Sequence, residues 1–156
     1  MSPMIKQYLI ILLLLLLSNP ALADPPSSTD DWEDVSLIAR QRHTPILVVF
    51  SAKTCGYCEK LKKEVIDPLE KQQSSEVPLL IREFDINVGG KLTDFDGEPI
   101  RRRQFKRRYH IFATPTLLIV DPDGNPLTDP IVGYNSAPEY QELLHASLTT
   151  SIKALK

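Results

Sequence analysis

Ile46-Leu47-Val48-Val49-Phe50-Ser51-Ala52-Lys53-Thr54-Cys55-Gly56-Tyr57-Cys58 is the stretch that organises the rest of the chain. Its first five residues are a continuous apolar, β-rich run. Such a run suits a strand buried on both faces, in the middle of a sheet. After Cys58 the sequence turns polar, with Leu61, Val65 and Leu69 four apart, which is helical spacing. The two cysteines therefore fall where a buried strand ends and a helix begins. The first turn of a helix has unpaired N–H groups and the positive end of the dipole. Both favour a thiolate, the attacking species in disulfide exchange. Cys55, the outer residue, is the expected attacker. Cys58, one turn inside, is the expected resolving thiol. Lys53, Lys60 and Lys62 add positive charge nearby, and each also reads as an ordinary solvated lysine.

Cys55 and Cys58 are the only cysteines in 156 residues. A disulfide stabilises more as its loop lengthens, so a bridge this short is a poor staple and points to chemistry. Covalent haem attachment needs His after the second cysteine, and residue 59 is Glu. Zinc needs four ligands, and His43, His110 and His145 lie far apart with no ligand spacing between them. No metal site is expected.

The amino terminus carries Lys6, the apolar run Leu9–Leu17 and then Ala21-Leu22-Ala23. This is the order of a secretory signal peptide over 1–23, and the run is too short for an ordinary spanning helix. An uncleaved membrane anchor is the alternative. Export would place the cysteines where disulfides persist. Residues 24–30, with Pro25, Pro26, Ser27, Ser28 and Thr29, read as a flexible lead to one domain over 31–156. That remainder keeps all 20 acidic and 17 of the 18 basic residues, for a net charge of −3. The balance argues against a nucleic-acid binder.

The spacing predicts a helix from Asp31 to about Arg42 and a strand over 46–50. The helix after the cysteines is expected to break at Asp67-Pro68, where Asp caps and Pro opens a second segment. A strand is expected over 77–86, a polar loop over 87–97 and a helix over 99–109. The apolar run 116–120 is expected as a strand, followed by a turn at Asp121–Asn125 and a short antiparallel strand at 131–133. A last helix over 137–148 should turn Tyr140, Leu143, Leu144 and Leu148 inward. Parallel strands joined by helices, then a hairpin and a closing helix, describe an α/β sandwich. Arg101–Arg108 holds six basic residues in eight. The plain reading is a solvated helix face; the sharper one is a contact for an acidic partner or anionic lipid headgroups.

A buried strand, the C-x-x-C pair at a helix start, and Ala113-Thr114-Pro115-Thr116 before another strand together resemble the thioredoxin superfamily. Among its members the chain looks most like exported bacterial thioredoxin-like proteins of the SoxW type and the catalytic domains of disulfide isomerases. Leu92–Gly97 is also similar to that group. The resemblance covers roughly 46–148. It implies a thioredoxin fold, α/β, with a central mixed sheet flanked by helices. It implies a periplasmic thiol–disulfide oxidoreductase whose only cofactor is its own redox-active Cys55–Cys58 pair. Thr54, Gly56 and Tyr57 would form the active-site loop. Pro115 would be cis, Thr114 would present its backbone to the substrate chain, and Gly133 would lie near the same surface. Without the resemblance, Pro115 reads as a trans loop proline.

Two departures stand out. The residue before the first cysteine is Thr54 where thioredoxin has Trp. Val49 stands where thioredoxin has a buried Asp, a carboxylate suited to take the proton from the resolving thiol. Water or Glu64 is the expected substitute. A potential between about −270 mV, as in thioredoxin, and about −120 mV, as in the strong oxidant DsbA, is expected. The implied partners are proteins carrying disulfides or thiols, and a membrane thiol electron donor, with the domain a monomer. The competing readings are a non-catalytic binding module on the same fold and a dithiol copper chaperone.

Overall fold

The computed structural model describes residues 30–72 and 79–155. The expected signal peptide, most of the expected lead, and Val77 at the start of an expected strand lie outside the described residues. The order is α1 (Trp32–Arg42), β1 (Ile46–Ser51), α2 (Gly56–Leu61), a π turn (Lys62–Ile66), α3 (Asp67–Gln72), β2 (Leu80–Asp85), β3 (Lys91–Thr93), β4 (Pro99–Arg101), α4 (Arg102–Arg108), β5 (Thr116–Val120), β6 (Ile131–Val132) and α5 (Ala137–Ala154).

The main sheet runs β2-β1-β5-β6. β1 is parallel to β2, with Val49 beside Glu83, and antiparallel to β5, with Phe50 beside Thr116. The sheet is therefore mixed, and the expectation that parallel strands precede the hairpin fails at β5. An apolar run such as Thr116–Val120 fits a buried position in either direction, so its residues do not declare its sense.

Side chains alternate across β1. Ile46, Val48 and Phe50 enter one core; Leu47 and Val49 enter the other. The first core is aromatic and lies under α1 and α4. The Trp32 and Phe105 rings are centred 4.8 Å apart, Phe84 and Phe105 5.1 Å, and Trp32 and Phe95 5.3 Å. Burying each ring contributes about 1.5–3 kcal/mol. The second core is mainly aliphatic. Leu61, Val65 and Ile66 pack from the helix after the cysteines, and Tyr140, Leu144 and Leu148 from α5.

α1 begins as expected, with Asp31 Oδ1 accepting from the Asp34 amide at 3.1 Å. It ends at His43, whose positive φ of 50° turns its amide back to the carbonyls of Ala39 and Arg40. His110, φ 51°, follows α4 in the same conformation. Two of the three histidines are thus helix terminators.

Four details of the elements differ from the expectation. A second helical segment does open at Asp67-Pro68, but the chain stays helical through that point instead of breaking. It loosens one turn earlier, where the Asp67 amide reaches back to the Lys62 carbonyl. Pro68 has no N–H to give, and the wider π turn before it absorbs that gap. Within 87–97, Lys91–Thr93 is a strand rather than loop, and it pairs with Pro99–Arg101. The expected helix over 99–109 therefore starts only at Arg102. Gly97, φ 83°, lets the chain turn between these strands. α5 runs on to Ala154, and Leu143 faces solvent, 50 % exposed, because the buried stripe runs through Tyr140, Leu144, Leu148 and Ser151.

Candidate active site

β1 delivers the chain directly into the cysteine turn. Cys55 and Cys58 form a disulfide, with Cα atoms 5.2 Å apart. Cys55 takes the cap position of α2, in extended conformation, and its Sγ accepts from the Cys58 amide at 3.1 Å. Cys55 is half-buried and Cys58 is buried. The outer cysteine is the accessible one, the order that attack by Cys55 and resolution by Cys58 require. Thr54, Gly56 and Tyr57 are exposed around the pair, Tyr57 by 64 %.

The Thr114–Pro115 bond is cis. Thr116, opposite Phe50, puts this bond at the end of the sheet where β1 runs into the cysteine turn. Thr116 Oγ1 donates to the Ala113 carbonyl at 2.9 Å, and the Gly133 amide donates to the Pro115 carbonyl at 2.8 Å. Pro115 and Gly133 are thus hydrogen-bonded at the cysteine end of the sheet, with Thr114 next to them across the cis bond. Two exposed apolar side chains belong to the same region: Phe112, 86 % exposed, and Val132, 62 %. Sequence reading passed over both, because an isolated apolar residue beside a turn carries no signal of exposure.

Behind Cys58 lies a cavity of about 90 Å³, bordered by Val49, Ser51, Lys62 and Glu83. It is large enough for a few water molecules. Val49 contributes no acid. Its neighbour in register, Glu83, supplies one from the adjacent strand. Glu83 Oε1 accepts from Ser51 Oγ at 2.6 Å, and Oε2 from Lys62 Nζ at 3.1 Å. That hydrogen bond to Glu83 is the main cause of the raised Lys62 pKa, and burial, the next largest effect, works against it. Lys62 is therefore more than a solvated lysine.

Glu64, the expected substitute for the missing Asp, points elsewhere. It accepts a hydrogen bond from the Tyr134 hydroxyl. Burial and then this bond push the Tyr134 pKa up to about 12, so the phenol stays protonated at neutral pH. Glu83 escaped sequence reading because its approach to Cys58 depends on strand register. The only local hint was a charge pair, Arg82-Glu83, inside an apolar strand.

Among the described residues, no group of three or more His, Cys, Asp or Glu side chains is arranged to hold a metal ion, and no helix is long and apolar enough to cross a membrane. The basic run 101–108 divides. Arg102 is buried, and burial lowers its pKa. It donates to the carbonyls of Val88 and Asp85, both at 3.2 Å, and pairs with Asp30. Arg108 forks onto the buried Asp94 carboxylate, with Nη1 at 2.9 Å from Oδ1, and that bond raises its pKa. Arg101, Arg103 and Arg107 are exposed. These three side chains are open to solvent, and Arg102 is not.

A family model described as a thioredoxin-like domain matches residues 34–148. Solved structures with the same fold include a thioredoxin-fold protein from Helicobacter pylori, 18 % identical, covering 72 % of this chain and 82 % of that one at a TM-score of 0.52. Fasciola hepatica thioredoxin is 19 % identical, covering 79 % of this chain and 99 % of that one at a TM-score of 0.53. No curated protein matches the sequence. At the general level, a C-x-x-C disulfide on this fold supports thiol–disulfide oxidoreduction. The family match spans most of the chain, and on that ground the chain belongs to the thioredoxin-like domain family.

Proposed function

We propose that this protein is an exported, periplasmic thiol–disulfide oxidoreductase that reduces or exchanges disulfides in exported proteins or sulfur carriers. The observation that carries the reading is the Cys55–Cys58 disulfide, its outer sulfur accessible and facing the Cys58 amide. In the reduced enzyme, the Cys55 thiolate attacks a substrate disulfide. A Cys55–substrate bond forms, and the other substrate sulfur leaves as a thiolate. Cys58 then gives up its proton and attacks Cys55 Sγ, releasing the second substrate sulfur. The substrate gains two electrons and the pair is oxidised, so a dithiol donor must reduce it again. A membrane thiol transporter is the donor class that an exported reductase requires.

Two carboxylates, Glu70 and Glu83, border the cavity beside Cys58. Glu70 is exposed, and Glu83, in register with Val49, is the one to which a proton passes from Cys58 through cavity water. Tyr57, Phe112 and Val132 supply apolar contact to the substrate chain, and the Thr114 backbone supplies polar contact. The enzyme works as a monomer, and nucleic acid is not a partner.

Replacing Cys58 by Ala removes resolution and leaves attack. The variant should accumulate mixed disulfides on Cys55 in the exported fraction, visible as bands that collapse on reduction. Absence of any trapped species would overturn the reading and favour a non-catalytic module. The equilibrium of the wild-type pair with glutathione sets direction. A potential near about −270 mV marks a reductase, and one toward about −120 mV an isomerase-like or oxidising role.

A further inference from the structure

We propose that the open cleft between the β2–β3 loop and α4 binds a multiply charged phosphate-type oxoanion, independently of the cysteine chemistry. The cleft has a volume of about 440 Å³ and is bordered by Lys91, Arg101, Arg103 and Lys106, with no Asp or Glu among its lining residues. Four cations at one place repel unless something neutralises them. Here they gather on a chain whose net charge is −2.

Two carboxylates beside these elements have other partners. Asp30 is taken by Arg102, and Asp85 Oδ1 holds the Asn87 amide at 2.8 Å. Lys106 Nζ is fixed to the cleft wall by the Ile86 carbonyl at 3.2 Å, which leaves its charge uncompensated. Lys91, Arg101 and Arg103 are exposed and have no carboxylate partner among the described residues.

The cleft is built, and this separates it from a loose basic surface. Arg102, only 3 % exposed, turns inward between Arg101 and Arg103. Its guanidinium holds the Val88 and Asp85 carbonyls, and its amide donates to the Gly90 carbonyl at 3.1 Å. One buried side chain thus clamps the loop to the start of α4 and sets its neighbours at the cleft mouth. Gly89 and Gly90 leave the loop backbone bare, with no atom within 4 Å of where a Cβ would sit. An oxoanion can approach that backbone closely. Guanidinium forks match phosphate oxygens in pairs, and ammonium groups add point charge. Several cations around one cavity select a group that can carry at least two negative charges, such as a diphosphate or the phosphomonoester headgroup of phosphatidic acid.

The test is titration of inorganic pyrophosphate into the isotope-labelled full chain at low salt, read by amide shifts. Saturable shifts centred on Gly89, Gly90 and Lys91 are expected. Apparent affinity should fall about tenfold or more in Arg101→Gln/Arg103→Gln, and on raising salt to about 0.3 M. Both substituted side chains are exposed, so the amide spectrum away from the cleft should be unchanged. Flotation with phosphatidic acid vesicles, against phosphatidylcholine, separates the two sources. Pyrophosphate binding without vesicle binding identifies a soluble phosphate compound; vesicle binding lost in the double variant identifies a headgroup. Failure of both probes, or binding equally strong in the double variant, overturns the proposal.

Discussion

The two faces of the sheet are built from the same strands and do different work. The face under α1 and α4 is filled with aromatic rings in mutual contact, and Phe105 touches four others within 6 Å. The opposite face is mainly aliphatic. It admits Cys58, a cavity, and the Glu64 and Glu83 carboxylates, each held by a hydroxyl. A strand whose side chains alternate can serve both faces at once. Phe50 and Val49, adjacent in sequence, belong to separate cores. The ring packing is concentrated on the first face, and the proposed chemistry needs the second, which holds the carboxylates and the cavity.

Substitution can break that division. Phe105→Ala should cost about 3–5 kcal/mol in chemical denaturation, because an aromatic ring with many ring neighbours cannot be replaced by collapse. The molecules that stay folded should keep the wild-type equilibrium with glutathione. A shifted redox equilibrium would show that the faces are coupled. Arg102→Met should cost about 1–3 kcal/mol, since it leaves the Val88 and Asp85 carbonyls without their donor. No change in stability would mean that Met packing on Phe84 replaces the guanidinium, which lies 4.4 Å from that ring.

On the opposite face, Glu83→Gln should slow resolution of the mixed disulfide about tenfold, equivalent to about 1.4 kcal/mol in the barrier, with little change in stability. Stopped-flow measurement of substrate release checks it. An unchanged rate would remove Glu83 from the proton route. The smallest effect is on alkaline stability. The Glu83 hydrogen bond holds the folded Lys62 pKa above the ordinary lysine value. A raised pKa in a cation stabilises the fold fully below the unfolded value, and this contribution fades as pH rises through the folded one. The wild type should therefore lose a little stability above about pH 10.4 that Lys62→Met never had. Parallel denaturation curves for the two proteins across that range would refute the contribution.

What could be read from sequence follows the same line. The cysteine turn, β1, α1 and the strand at Thr116–Val120 are legible because each is set by neighbours a few residues away. The direction of β5, the inward turn of Arg102 and the approach of Glu83 to Cys58 are not. Each depends on partners far along the chain: Phe50 for Thr116, Asp30 for Arg102, Ser51 for Glu83. The run of basic residues concealed Arg102 most completely, since its charge is what suggested exposure. Leu143 misled in the opposite sense, as an apolar residue lying just off the buried stripe of α5.

The Cys58 amide already points at Cys55 Sγ in the disulfide form. When the pair is reduced and Cys55 ionises, the same N–H meets a full negative charge instead of a neutral sulfur. A hydrogen bond to an ionised acceptor is roughly twice as strong as one between neutral groups. The donor that stabilises the product is therefore in place before the electrons arrive, and the backbone has little reorganisation to perform. The oxidised enzyme carries a mould of its own reduced state.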